Sequence, residues 1–209
     1  MTGLFGSTFG GPLQAVESYR ALVIAAGPAH PLAGRRLMAA AEAAKTMLDD
    51  YGFDVETTAA EVGDELHERL ASACAAGSPI RAVAVVGRLG VGLGCELSAA
   101  LSGALDAEVP GLVQAIRRAQ LDAGYARAVF ESPVCGWIGT TVVLSLPDDV
   151  TGVQSAIQEV GAIILEVLDE LDEEAADDSA DSDTEADVHD LRPKVVPLNR
   201  TPSGPPRDR

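Results

Sequence analysis

Residues 83–95 read VAVVGRLGVGLGC, and the rest of the chain is best interpreted outward from this stretch. An apolar, β-branched run predicts a buried strand, and Gly87, Gly90, Gly92 and Gly94 predict a tight loop before a helix. Main-chain amides at a helix start favour an anion, and glycines let the backbone approach a ligand closely. The stretch therefore predicts either a phosphate or cofactor loop, or a turn that only packs the helix against the strand.

Apolar runs and amphipathic segments alternate on both sides of this loop, with short links between them. We predict strands at 21–26, 53–59, 82–86, 128–132 and 140–146, and helices at 33–50, 64–76, 96–105, 110–122 and 149–171. Asp64 is predicted to cap its helix and Pro110 to occupy a first turn. This order indicates an α/β fold, a three-layer sandwich with a mostly parallel sheet flanked by helices.

The composition is that of a soluble domain. Of 209 residues, 47% are hydrophobic but only 4% are aromatic, so the core must consist of Ala, Val, Leu and Ile. The three cysteines form no CxxC or Cys/His cluster, which argues against a zinc site or a disulfide framework and favours a reducing cytoplasm. No signal peptide is recognised, and no apolar run approaches the roughly 20 residues of a membrane span.

The net charge of −17 is unevenly distributed. Residues 166–190 hold thirteen Asp and Glu and no Lys or Arg, whereas residues 191–209 are basic and proline-rich. The remaining body is acidic, which argues against nucleic acid as a partner. We predict a Gly-rich leader over 1–18, a domain over 19–172 and a disordered tail over 173–209, whose acidic part alternatively docks a protein partner.

The glycine loop matches neither of two common phosphate loops. The P-loop GxxxxGK[ST] fails because Gly87 is followed at that distance by Gly92-Leu93-Gly94, without lysine or hydroxyl. The dinucleotide pattern GxGxxG fails because the glycines after Gly90 recur at every second residue. The loop supplies backbone for an anion but no side chain that these motifs use.

Four local motifs over about residues 20–172 resemble, in order and spacing, those of the MoaB/Mog family of molybdopterin-binding proteins. They are the glycine loop, the turn Val62-Gly63-Asp64-Glu65, the helix start Glu108-Val109-Pro110-Gly111-Leu112 with Ala115 and Arg117, and the segment 141–147 followed by Gly152-Val153. The resemblance implies an α/β sandwich, usually trimeric, that binds the dithiolene pterin through its glycine loop. Some family members transfer AMP from Mg-ATP to the pterin phosphate with the help of two aspartates.

The chain departs from the family where that chemistry takes place. Where the family has a glycine followed by a threonine, this chain has Arg88 and Leu89. The family's Pro-Arg-Asp triplet is replaced by Leu93-Gly94-Cys95, its Ser-Arg pair by Glu131-Ser132, and its Leu-Pro-Gly turn by Leu146-Pro147-Asp148. Only Asp64 remains of the two aspartates. Nucleotidyl transfer depends on carboxylates that hold the metal, so these departures imply impaired or lost catalysis.

The resemblance assigns candidate roles residue by residue. Asp64 is the residual catalytic residue and metal ligand, and Glu96, adjacent to the lost aspartate, is a substitute. The candidate molybdopterin-binding residues lie in the loop and the later turns: Gly87, Arg88, Gly90, Gly92, Gly94, Cys95, Pro110, Gly111, Ser132, Pro147 and Asp148.

Three side chains have alternative interpretations. Arg88 either contacts a phosphate or caps the end of the sheet, and Cys95 is either a reactive thiol or a packing residue. Arg117 either binds the pterin or another subunit, or pairs with Glu108 or Glu131.

Three functions are compatible with these residues. The first is a homotrimeric molybdopterin-binding protein of molybdenum-cofactor biosynthesis whose catalysis is impaired or lost. The alternatives are an active, Mg-ATP-dependent molybdopterin adenylyltransferase and a non-catalytic interaction scaffold. The retained glycines favour binding over a pure scaffold, because a loop without a ligand need not keep four of them.

Overall fold

Alanine-rich and β-branched segments build a six-stranded sheet within residues 18–27, 31–90 and 94–181, which the computed structural model describes. In chain order the elements are β1 Arg20–Ala26, α1 Pro31–Asp50, β2 Asp54–Ala60, α2 Asp64–Ala73, β3 Ile80–Gly87, α3 Gly94–Ala104, β4 Ala107–Glu108, α4 Pro110–Asp122, a 3-10 helix Ala126–Val129, β5 Cys135–Ile138, β6 Thr141–Pro147 and α5 Val150–Asp181. The chain divides into two units, Met1–Asp172 and Glu173–Arg209, and all side-chain contacts discussed below lie in the first.

The sheet has the strand order β2-β1-β3-β6-β5-β4. The first four strands in this order are parallel, as expected where helical crossovers join them, and β5 and β4 extend the sheet in antiparallel fashion. The carboxyl ends of the parallel strands, at Ala26, Ala60, Gly87 and Pro147, therefore meet at one edge. We call this the carboxyl edge, and it is where ligands bind in open parallel sheets.

Helices cover both faces of the parallel strands. Buried residues of α1, α4 and α5 pack with Ala21, Val23 and Ala25 of β1 on one face. Buried residues of α2 and α3 pack with Leu22, Ile24 and Ala26 on the other. Burial of successive residues on opposite faces explains why the strands read as continuous apolar runs.

The predicted three-layer α/β fold is confirmed, and the main differences lie in the second half of the chain. The predicted strand at 128–132 is wrong, because residues 126–129 form the 3-10 helix and no strand follows until β5. The structure also adds the antiparallel strands β4 and β5, and it extends α5 to Asp181, beyond the predicted end at residue 171.

Asp64 does not cap α2. The cap position is taken by Gly63, whose φ of 131° suits glycine, and Asp64 is the first helical residue. No helix in the described part of the chain has the length and apolar character needed to cross a membrane. Residues 1–17 and 182–209, which make up most of the predicted leader (1–18) and of the predicted tail (173–209), lie outside the described residues.

A buried serine joins β6 to the segment that precedes β5. The Ser145 hydroxyl accepts a hydrogen bond from the Val134 amide at 2.6 Å, and the Ser145 amide donates to the Val134 carbonyl at 2.8 Å. Ser145 has no exposed surface, so water does not compete for its hydroxyl group. The hydroxyl therefore serves as the hydrogen-bond acceptor of the Val134 amide.

We expect Ser145→Ala to lower the free energy of unfolding by about 1–3 kcal/mol, because the Val134 amide loses its acceptor. Chemical denaturation followed by circular dichroism measures the change. Ser155→Ala is the matched control, since that hydroxyl donates at 2.8 Å to Thr151 of its own helix, and its change should stay within about 0.5 kcal/mol. Equal losses in both variants would contradict this account of Ser145.

Candidate functional site

A cavity of about 270 Å³ lies at the carboxyl edge, where β1, β2 and β3 end. Most of its lining comes from the last residue of a strand or from the one or two residues after it, and the rest comes from the first turn of α3. The described lining residues are Ala26, Gly27, Glu61, Val62, Arg88, Glu96 and Leu97. The glycine loop, defined here as residues 87–94, thus contributes Arg88 to a concave site.

Among the described lining residues, the cavity combines one cation, two carboxylates and an apolar wall. Arg88, Glu61 and Glu96 are exposed, whereas Leu97 is buried and Val62 is half-buried. A guanidinium group suits a phosphate or another anion, and carboxylates accept hydrogen bonds from ring N–H groups. The arrangement can therefore hold a small anionic ligand that also carries N–H donors.

Gly87 lies at the end of β3 against Ala26 and Leu97, two residues that line the cavity. A Cβ atom at Gly87 would lie 2.5 Å from Leu97 Cδ2 and 2.7 Å from the Ala26 carbonyl oxygen. A Cβ atom at Gly90 would meet nothing within 4 Å. Gly87 is therefore required for close packing of β3 against β1 and α3, while the backbone at Gly90 has open space beside it.

The glycine loop is held to the segment that precedes β5. Leu89 is only 1% exposed and packs between α2, α3 and the sheet. Its carbonyl accepts a hydrogen bond from the Ser132 amide at 3.0 Å, and the Ser98 hydroxyl of α3 donates to the Ser132 carbonyl at 2.7 Å. Ser132, predicted as a binding residue, is thus placed against the loop through its main chain.

The turn after β2 brings Glu61 rather than Asp64 to the cavity. Asp64 is exposed at the start of α2 and is not among the described lining residues. The Glu61 amide donates to the Glu65 carboxylate at 2.8 Å, which shapes the turn. Glu96, the predicted substitute carboxylate, does line the cavity. Within the described residues, no group of three or more His, Cys, Asp or Glu side chains is arranged to hold a metal ion.

The remaining predicted binding residues are dispersed. Pro110 and Gly111 begin α4 in exposed positions and are not among the described lining residues. Gly94 begins α3, whereas Gly92 and the side chain of Cys95 lie outside the description. In the described part of the chain, the cavity therefore gathers Arg88 and Glu96 from the predicted set.

The described thiols are poorly suited to nucleophilic chemistry. Burial raises the pKa of Cys74 to about 11 and that of Cys135 to about 12. Both groups therefore stay protonated at neutral pH, whereas nucleophilic attack requires the deprotonated thiolate.

Pro147 and Asp148 lie at the end of β6, beside β3. Pro147 is buried and pairs in register with Gly87. Asp148 Oδ1 lies 3.6 Å from a guanidinium nitrogen of Arg36 and 3.6 Å from one of Arg127. The Asp148 side chain thus joins α1 to the 3-10 helix, a structural role that sequence reasoning had not assigned to it.

A second carboxyl group, that of Glu131, continues this network into the interior. The Tyr125 hydroxyl donates to Glu131 Oε1 at 2.6 Å, and an Arg127 nitrogen lies 3.6 Å from the same oxygen. Arg117 donates to the Glu131 carbonyl at 3.0 Å, so it pairs with Glu131 through the main chain. Burial raises the pKa of the Glu131 carboxyl, against the lowering effects of Tyr125 and Arg127.

Sequence reasoning missed Glu61, Arg36 and Arg127. Glu61 carried a usable signal, because it comes two residues after the predicted strand 53–59 and directly after the observed β2, and so belongs at the carboxyl edge. Arg36 and Arg127 carried none, since each meets Asp148 only through the tertiary fold.

No protein-family model and no curated protein matches the chain. Solved structures do match. A molybdopterin biosynthesis protein from Mycobacterium abscessus is 23% identical, with a TM-score of 0.65 over 73% of this chain and 95% of that one. The molybdopterin biosynthesis Mog protein from Mycobacterium ulcerans is 24% identical, with a TM-score of 0.61 over 73% and 96%. The tungsten cofactor synthesizing protein MoaB from Pyrococcus furiosus is 20% identical, with a TM-score of 0.59 over 75% and 98%.

Fold and site together define a class: a three-layer α/β domain with a ligand-sized cavity at the carboxyl edge of a mostly parallel sheet. Within that class, the chain has the fold of the MoaB/Mog molybdopterin biosynthesis proteins. The resemblance predicted from the sequence is thereby confirmed at the level of the fold.

We expect Gly87→Ala to destabilise the protein by about 1–3 kcal/mol, because the added methyl group overlaps Leu97 and a main-chain oxygen. Gly90→Ala should be tolerated, since its Cβ enters open space. Thermal unfolding of the two variants side by side measures the difference. If Gly87→Ala were as stable as Gly90→Ala, the close packing described at the end of β3 would be wrong.

Proposed function

We propose that this chain is a molybdopterin-binding protein associated with molybdenum-cofactor biosynthesis, and that its adenylyl transfer is impaired or lost. The observation that carries the proposal is the cavity at the carboxyl edge, where Arg88 of the glycine loop stands with Glu61 and Glu96. The fold shared with molybdopterin biosynthesis proteins supports the choice of ligand.

The lining residues fit the two chemical halves of a pterin phosphate. In the proposed complex Arg88 binds the anionic end, and Glu61 or Glu96 accepts hydrogen bonds from ring N–H groups. A second cavity of about 340 Å³ shares Gly27 and Glu61 with the first and is lined further by apolar side chains such as Leu37 and Met38.

Impaired catalysis follows from the side chains that the family's chemistry would need. Leu89 stands where the family has threonine, and its side chain is buried in the core rather than offered to a ligand. Any residual adenylyl transfer from Mg-ATP is assigned to Asp64 as metal ligand and to Glu96 as its partner. Asp64 lies exposed at the start of α2, so Glu96 would have to supply the carboxylate at the cavity.

Three further assignments rest on the resemblance and on composition. We propose that the protein is a cytoplasmic homotrimer, as members of the resembling family usually are trimers. The remaining predicted binding residues, from Pro110 to Asp148, would then act at the rim or between subunits. The acidic segment at 166–190 is proposed to contact a protein partner.

We expect the protein, purified from a host that makes molybdenum cofactor, to release close to one fluorescent pterin per subunit after oxidation. Arg88→Ala should raise the dissociation constant of the pterin about tenfold to a hundredfold, because a charge-assisted hydrogen bond is lost. Arg118→Ala is the matched control, since that side chain is 84% exposed on α4. Absence of pterin, from a host whose active homologue retains it, would reject binding in favour of a scaffold.

Incubation of the pterin-loaded protein with Mg-ATP then distinguishes carrier from enzyme. No adenylylated pterin should form if catalysis is lost. Turnover that Asp64→Ala abolishes would instead establish the active adenylyltransferase.

A further inference from the structure

The two residues Glu131 and Ser132 form a strap across the base of the glycine loop. The Ser132 amide holds the Leu89 carbonyl at 3.0 Å, and the Ser132 carbonyl is held by the Ser98 hydroxyl at 2.7 Å. The strap therefore contacts the loop at Leu89 and, beyond the loop, helix α3 at Ser98. Movement of the strap would move the backbone next to Arg88.

The strap is itself anchored by a buried carboxyl group. Glu131 is only 3% exposed, and its Oε1 atom accepts the Tyr125 hydroxyl hydrogen at 2.6 Å. Arg117 holds the Glu131 carbonyl from α4 at 3.0 Å. Tyr125 thus holds the side chain of Glu131, and Arg117 holds its main chain.

Burying the polar groups of Glu131 and Arg117 costs folding free energy. Glu131 Oε2 and Arg117 Nε are buried and make no hydrogen bond within the described part of the chain. A buried polar atom without a partner costs stability, and an apolar residue would hold a purely structural turn more cheaply. A polar anchor at this position therefore points to a task beyond packing.

We propose that Glu131 is a positioning residue: by anchoring the strap, it sets the order of residues 87–90 at the start of the loop and hence the affinity of the adjoining cavity for its ligand. The effect on ligand affinity rests on the proposed function, whereas the effect on the order of residues 87–90 does not.

Protonation of Glu131 gives this role a signature that packing alone lacks. The carboxyl faces Tyr125 and Arg127 at the 3-10 helix and Asp148 and Asp149 after β6, while Arg117 of α4 contacts the main-chain carbonyl of the same residue. Arg36 of α1 pairs with both of those aspartates. Burial raises the pKa of Glu131, and Asp148 and Asp149 act in the same direction.

The stabilisation that Glu131 contributes is expected to decrease as the pH rises. Because the folded protein holds the proton more tightly than the unfolded chain, the stabilisation is complete below the ordinary glutamate pKa of 4.5. It is lost as the pH rises through the folded-state pKa. Loop order should fall over the same window.

Hydrogen–deuterium exchange of the full-length, ligand-free protein tests the proposal, read at peptides covering residues 86–98. Glu131→Ala should speed exchange there about tenfold, as expected for the loss of a buried hydrogen bond, and leave β1 unchanged. Glu131→Gln keeps the shape and an acceptor for Tyr125, so it should restore slow exchange and abolish its pH dependence. Glu159→Gln, an exposed glutamate on α5, is the control and should match the wild type.

Tyr125→Phe provides a second route should Glu131→Ala fail to fold, because it removes the donor and leaves the carboxyl in place. Unchanged loop exchange in Tyr125→Phe and Glu131→Ala, or equal acceleration in the loop and in β1, would overturn the proposal. Pterin titration of the same variants separates the two claims. Faster loop exchange in a protein that binds no pterin supports the positioning role while rejecting the ligand; pterin binding with unchanged exchange does the reverse.

Discussion

Close contact at the end of β3 is the constraint on which the site depends. Gly87 brings the strand so near to Ala26 of β1 and Leu97 of α3 that no side chain fits between them. The chain consequently leaves the sheet directly above the carboxyl edge. Arg88 reaches the cavity there, and Leu89 turns back into the core between α2 and α3. Backbone proximity, rather than a phosphate motif, thus explains why a glycine must stand at this position.

Two kinds of contact hold the loop, and they respond differently to change. Packing at Gly87 is insensitive to solution conditions, because it depends only on atomic volume. The hydrogen bonds at Leu89 and Ser132 lead instead to Glu131, Tyr125 and the arginines around them. Both contacts lie on the β3 side of the loop, so steric packing fixes the end of the strand at Gly87 while the titratable network acts on Leu89, next to the cavity-lining Arg88.

The parallel core was predictable because its strands are buried on both faces and so read as apolar runs. The error at residues 128–132 has the opposite cause. Val129 and Phe130 are 62% and 71% exposed, whereas Glu131 is buried. In this segment the hydrophobicity of a residue therefore does not predict whether it is buried. β5 was missed because its four residues begin with a cysteine and a glycine and offer too little pattern. Arg88 could be found from its place in the loop, whereas the ion pairs of Asp148 arise from residues far apart in sequence.

The charge of the described lining residues favours a ligand with few negative charges over a polyanion such as ATP. One guanidinium group stands with two carboxylates, so these side chains are net negative and repel a polyanion more strongly than a group that carries little charge. A triphosphate placed beside Arg88 would also face Glu61 and Glu96, and its repulsion would require a metal ion held between them. A pterin phosphate presents fewer charges and carries N–H groups that turn the same carboxylates into partners. In the proposed complex, the same side chains therefore favour a pterin phosphate over a nucleoside triphosphate as the ligand of this cavity.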